Sequence, residues 1–336
     1  MAGKLTYLEL DDYLAKIAKS YDLYGPVVQE KAGVFSDTDT IIFEKVNNFS
    51  EMCFDKKSNY SAKDIFLPLS ETIFYFTENE YTKPTNKLKP SLIFVRSCDL
   101  HAIKRTDQIY LYNKYEDIYY KEKKELLKFV LVGCKEEFDN CHCVDFATNI
   151  SDNYDIALNI RDNGVEIDIK DADLDLLNVI DIKDFMHDHV SINSYKVNVP
   201  DKVELEKVIN ADIWDEYSTR CIACGACNFV CPTCTCFTMQ DIFYQDNENV
   251  GERRRVAASC HVDGYSDMAG GHSFRLDKKD RMRFKVLHKV SDFKERFGYN
   301  MCVGCGRCDD VCPEHISFAN SVNKLTNYIK EGENHE

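Results

Sequence analysis

Two copies of one cysteine pattern constrain this chain more than any other feature. Residues 221–232 read Cys-Ile-Ala-Cys-Gly-Ala-Cys-Asn-Phe-Val-Cys-Pro, and residues 302–313 read Cys-Val-Gly-Cys-Gly-Arg-Cys-Asp-Asp-Val-Cys-Pro. Each is C-x2-C-x2-C-x3-C-P. Three thiols two residues apart converge only if the chain between them wraps as a tight loop, and the proline after the fourth turns the chain away. Gly225, Gly304 and Gly306 fall inside these loops, where a missing Cβ lets backbone N–H groups come close to sulfur. The chain holds sixteen cysteines in 336 residues, and a chain of this length does not need them as cross-links. Glu9, Asp11 and Asp12 stand where an export signal would need bases and then an apolar run. The thiols are therefore read as metal ligands in a reducing, cytoplasmic compartment.

The spacing decides between metals. It is the spacing of bacterial two-cluster ferredoxins, in which the fourth cysteine of each run ligates the other cluster. That assigns Cys221, Cys224, Cys227 and Cys312 to one 4Fe–4S cluster, and Cys302, Cys305, Cys308 and Cys231 to a second. Structural zinc uses two separated pairs instead of an even triplet. The long stretch between Cys231 and Cys302 carries Cys234, Cys236, Cys260 and the loop Ala269-Gly270-Gly271-His272. The three thiols are read as buried neighbours of a cluster rather than ligands, and His272 as a loop residue.

Positions 1–200 read as an α/β domain. Thr6-x-x-Glu9 is a capping box opening a helix through about Ser20. Strands are expected near Thr40–Val46, Leu92–Val95 and Phe129–Gly133, a helix over Glu116–Lys128, and a hairpin over Asp155–Ile169 turning at Asn163-Gly164. Cys98 and Cys134 each lie just past an apolar strand. If those strands are parallel neighbours, both thiols emerge at one sheet edge, where α/β folds build sites. Cys141 and Cys143 would join them. The four suit a third 4Fe–4S cluster, with zinc or no metal as alternatives. His101 and His142 are read as loop-orienting residues, and Cys53 as core. Arg96 and Arg105 flank Cys98 and would raise the potential of an anionic cluster, or simply be surface charge. From about 201 to 336 the chain reads as a mainly helical dicluster ferredoxin domain, entered by a helix over Val203–Glu216, with the long insertion at about 237–300.

Charge excludes other classes. With 57 acidic and 42 basic residues the chain carries −15, which disfavours nucleic acid as a partner. No apolar run approaches the ~20 residues of a membrane span. Residues 136–188 hold 15 acidic and 3 basic residues, whereas residues 252–296 hold 12 basic and 7 acidic. The basic stretch reads either as a solvated face or as a surface for an acidic partner. No G-x-G-x-x-G, G-x-x-x-x-G-K-[ST] or G-x-S-x-G motif occurs. The pattern suits an electron relay within a larger complex, with no catalytic acid, base or nucleophile to assign. The rival from another class is a protein stabilised by structural clusters or zinc.

The chain resembles the iron–sulfur subunit of bacterial anaerobic sulfite reductase, within a 4Fe–4S dicluster family shared with sulfhydrogenase beta subunits. The matching pieces are Arg96-Ser97-Cys98-Asp99, Cys134 with Asn140-Cys141-His142-Cys143, both ferredoxin motifs, Cys231-Pro232-Thr233-Cys234-Thr235-Cys236-Phe237, and Ser259-Cys260 with Ala269–His272. The resemblance implies a three-subunit cytoplasmic complex. A flavoprotein partner would take electrons from NADH, this chain would relay them, and a sirohaem partner would reduce sulfite to sulfide. Flavin, NADH and sirohaem would thus be bound by the partners. The family carries Cys98, Cys134, Cys141 and Cys143 together, which favours the third cluster. The sulfhydrogenase beta subunit is the alternative identity.

Overall fold

A computed structural model describes every residue except 1, 34, 36, 86–88, 177–183, 245–246 and 334–336. The expected mixture of α and β structure is present. One sheet has seven strands: β1 (Ala2–Leu5), β2 (Asp22–Gln29), β3 (Thr40–Val46), β6 (Ser91–Val95), β7 (Leu127–Val132), β8 (Ile156–Arg161) and β9 (Gly164–Ile169). Between β3 and β6 the chain forms β4 (Ser70–Phe76) and β5 (Tyr81–Thr82), which belong to a second sheet. The order in the first sheet is β1-β9-β8-β7-β6-β2-β3. Its four central strands are mutually parallel, and the flanking pairs are antiparallel.

β6 is buried along its whole length, so it reads as a continuous apolar run rather than an alternating one. The period of two still sorts its side chains. Leu92 and Phe94 join Val130 and Val132 against the helix Tyr7–Ile17, while Ile93 and Val95 join Phe129 and Leu131 against the helix Ser97–Tyr110. The Thr6–Glu9 capping box forms, and the helix it opens buries Leu10, Tyr13, Leu14 and Ile17. The expected hairpin is β8–β9. β2 adds to the expected strands, because Gly25-Pro26 interrupts its pattern. It survives because β2 pairs with β6 only over Asp22–Tyr24, so Pro26 lies beyond the stretch that needs an N–H on that side.

Two expected helices are shorter than read. The one over Glu116–Lys128 is Ile118–Lys124, capped by Asp117. The one over Val203–Glu216 breaks into Leu205–Val208, Asp212–Trp214 and Glu216–Arg220. There the buried Trp214 folds back to donate its indole N–H to the Val208 carbonyl at 2.8 Å. Trp214 belongs to a second core, formed with Met282, Val286, Val290, Phe318, Val322 and Leu325.

The insertion between the motifs is not helical throughout. It opens as a hairpin, β10 (Phe237–Tyr244) and β11 (Asn247–Ala257), and β11 pairs with β4 in a sheet ordered β10-β11-β4-β5. This sheet therefore joins strands from both sides of residue 200. Its inward groups gave no apolar signal because they are charged. Arg255 is buried, 2.7 Å from Glu71 and 2.6 Å from Asp117, and Lys123 also pairs with Glu71.

Candidate metal centres

The two motifs fold alike. Ala223 and Gly304 occupy the same position, at φ +59° and +63°, and their N–H groups lie 3.4 Å from the sulfurs of Cys221 and Cys302. Gly225 and Gly306, both left-handed, then start the one-turn helices Ala226–Phe229 and Arg307–Asp310 that carry the third cysteine. The motif glycines were legible in sequence. Ala223, an alanine in a conformation that suits glycine, was not.

Cys221, Cys224, Cys227 and Cys312 line one pocket, together with Cys308. Cys231, Cys302, Cys305 and Cys308 line a second. The fold thus carries the fourth cysteine of each run across to the other run's pocket. A third pocket is lined by Cys98, Cys134, Cys141 and Cys143, and also by Cys305. Cys98 is the second residue of the helix after β6, and Cys134 lies two residues past β7. The parallel pairing of β6 with β7 brings both to one sheet edge. Among the described residues no three His, Cys, Asp or Glu draw together tightly enough for a single metal ion. Each of the three sets offers four free thiols, the donor type that holds 4Fe–4S clusters.

The third cysteine group is bolted to the second motif. Arg307 donates to both carboxylate oxygens of Asp99, at 2.8 and 3.3 Å, and to the carbonyl and hydroxyl of Ser58, at 3.0 and 2.8 Å. Asp99 adjoins Cys98, and Arg307 adjoins Cys308. The His142 N–H donates to the Gly304 carbonyl at 2.7 Å, and the Thr148 hydroxyl to that of Val303 at 2.6 Å. A Cβ on Gly306 would stand 2.0 Å from the Asn140 carbonyl oxygen, so the two loops are in direct backbone contact.

Cations face the sulfurs, with Lys285 and Lys289 buried and Arg96 half-buried. Arg96 reaches Cys134 Sγ at 3.3 Å and lies over the rings of Phe54 and Phe138. Lys289 donates to Cys231 Sγ at 3.4 Å and to the Thr233 hydroxyl at 2.8 Å. Burial works to lower the pKa of Lys285, but Cys227, Cys308 and Cys234 outweigh it and hold it well above its ordinary value. Lys63 donates to the carbonyls of Asn228, Cys231 and Cys234, pinning the end of the first motif to the N-terminal half. Burial pushes the thiols of Cys141, Cys143 and Cys302 up to about 11, 12 and 12. Thiols so placed become thiolates when a metal takes the place of the proton. A cluster with four thiolates is a net anion, which these cations match.

The basic run Arg275–Lys289 is therefore only partly a solvated face, because Arg281, Lys285 and Lys289 point inward. Sequence periodicity could not separate them from their exposed neighbours. Arg105 is also buried and bonds the carbonyls of Asn300 and His101, and the sulfur whose charge it feels is Cys302 of the second motif. His101 lies 2.7 Å from the Ile150 carbonyl, and His272 packs on Phe274. Cys53 is half-buried and bonds Asp55, and it borders the third pocket.

This set of loops and thiols defines an iron–sulfur electron-transfer protein. Residues 220–316 match the family described as a 4Fe–4S dicluster domain. The chain is similar to the beta subunit of sulfhydrogenase 2 from Pyrococcus furiosus, with 30% identity over 330 residues that cover 92% of each chain. It belongs to the family of that beta subunit, as an iron–sulfur component of an oxidoreductase complex. No solved structure matches it. Among the described residues no helix is long and apolar enough to cross a membrane.

Proposed function

We propose that this chain is the electron relay of an NADH-dependent anaerobic sulfite reductase in the cytoplasm. It would stand between a flavin- and NADH-binding partner and a sirohaem partner that reduces sulfite to sulfide. The observation that carries the reading is the order of the pockets. Cys308 borders the first and the second, and Cys305 the second and the third, so the cysteine sets form a row rather than a substrate cleft. The first would be held by Cys221, Cys224, Cys227 and Cys312, the second by Cys302, Cys305, Cys308 and Cys231, and the third by Cys98, Cys134, Cys141 and Cys143. Bound clusters supply one-electron carriers. The protein's own groups fix the thiolates, exclude water and offset the negative charge through Lys289, Lys285 and Arg96.

The test is reduction of the anaerobic protein with dithionite, followed by the sirohaem partner and sulfite. A paramagnetic signal that appears on reduction and disappears on adding partner and sulfite supports the reading. Clusters that resist dithionite would make them structural. The Pyrococcus relative favours a second reading, the beta subunit of a sulfhydrogenase. Sirohaem in the co-purified complex supports the first reading, and nickel the second.

A further inference from the structure

The segment Ser259–Val262 follows the β10–β11 hairpin and settles on the first motif. The Asn228 side-chain amide, one residue past Cys227, donates to the Ser259 hydroxyl and to Cys260 Sγ, each at 3.0 Å. A Cβ on Gly225 would stand 2.7 Å from Val262 and 2.9 Å from the Ser259 hydroxyl, so the segment lies against the loop between Cys224 and Cys227. His261, held between these contacts, is 2% exposed. Its N–H donates to the Ser259 hydroxyl at 3.3 Å, and its carbonyl accepts from Arg281 at 3.1 Å. The backbone is thus satisfied on both sides, but the ring is not: Nε2 is buried without a hydrogen-bond partner. His261 lines the first pocket beside Cys221, Cys224, Cys227, Cys312 and Lys285.

A buried ring nitrogen left unpaired is costly, and a fold that keeps one calls for a bound group to satisfy it. The sulfurs that this pocket would hold, thiolate and sulfide, can only accept, so a nitrogen facing them must carry the proton. We propose that His261 donates its Nε2–H to a sulfur of the cluster held by Cys221, Cys224, Cys227 and Cys312, and so sets that cluster's potential. Burial, and then the charges of Lys285 and Arg281, hold the imidazole pKa down to about 3. The ring is therefore neutral and has a single N–H to place. A reduced cluster carries one more negative charge than an oxidised one, so a donor at its sulfur favours reduction. Cys224 is the one exposed thiol among the described residues, which makes the first centre the end of the row nearest the surface. His261 thus tunes the carrier placed to exchange electrons with another protein. The inference rests on a cluster in the first pocket, and not on which partner stands at either end.

The test uses the full chain with its clusters, purified without oxygen and carrying nitrogen-15 in its histidine rings. Wild type, His261→Leu and His261→Gln are titrated with redox dyes and followed by electron paramagnetic resonance. His261→Leu should move one midpoint to lower potential, by about threefold or more in the reduction equilibrium, or ~28 mV at ~59 mV per factor of ten for one electron. His261→Gln, whose amide can donate, should recover part of that shift. The step that moves should not be the one moved by Lys289→Met, whose donor faces the second centre. Pulsed resonance on the reduced wild type should show a nitrogen-15 coupling that both variants lack, so His261→Gln serves if His261→Leu does not fold. Identical midpoints in the three proteins overturn the inference. So does a cluster coupled to exchangeable deuterons but not to nitrogen-15, which would put a water where the imidazole is placed. Cys224→Ala with the full wild-type iron count would mean that the first pocket holds no cluster, and the cluster assignment would fall together with the inference.

Discussion

The buried ion pair between Asp99 and Arg307 should control whether the second and third cysteine groups stay together. Each side chain is 3% exposed, and the pair ties the Cys98 helix to the loop of Cys305 and Cys308. Asp99→Asn keeps the shape and one acceptor oxygen but leaves the buried guanidinium without its counter-charge. Removing one member of such a pair costs about 3–5 kcal/mol. At a factor of ten for each ~1.4 kcal/mol, that is roughly 10²–10³·⁵ in the stability of the contact. Unfolding of a cluster protein is read as a rate, so the assay is anaerobic loss of cluster absorbance in guanidinium. If half the cost falls on the unfolding step, Asp99→Asn and Arg307→Met should each speed the loss at least about tenfold. The double variant Asp99→Leu with Arg307→Met removes both charges and should lie within about 1–2 kcal/mol of the wild type. Single variants within twofold of wild type, or a double variant as fast as the product of the singles, would refute the reasoning.

Gly306→Ala places a Cβ against the Asn140 carbonyl at φ +71°, where the left-handed conformation alone costs an alanine about 1–2 kcal/mol. It should lower iron at the third centre before the first, as read by iron per chain. Lys289→Met removes a charged donor 3.4 Å from Cys231 Sγ. A charged hydrogen bond contributes about 1.5–3 kcal/mol, so the second centre should shift roughly 65–130 mV more negative in a dye-mediated titration; an unchanged potential would contradict the role given to Lys289. The hydrogen bond from Lys128 holds Asp171 below the usual carboxylate range. A depressed carboxylate stabilises the fold above its unfolded-state value, and that contribution fades as pH falls through the folded value. Asp171→Asn should therefore cost up to about 1 kcal/mol near pH 7, and the gap in unfolding midpoints should close below about pH 4.

The cysteine spacing made the motifs legible because ligand geometry is local, set by steps of two and three residues. The run of apolar residues in β6 and β7 made the two strand ends legible, and with them the site of Cys98 and Cys134. What escaped was long-range and polar. Ser58, Asp99 and Arg307 are remote in sequence, and no period links them. Lys63, Lys285 and Lys289 look like surface residues until the carbonyls and sulfurs that receive them are in view. Pro26 hid β2, and the charged inward face of β11 hid a strand whose partner, at Glu71, belongs to the other half of the chain.

The central claim is a row of three clusters, and iron counts it. Iron, acid-labile sulfide and zinc per chain should be measured on protein purified without oxygen, alongside Cys134→Ser. The account requires about 12 iron and 12 sulfide in the wild type and about 8 of each in the variant, four per lost centre. About 8 of each in both proteins, or one zinc in the wild type that the variant loses, would contradict it and reduce the row to a pair.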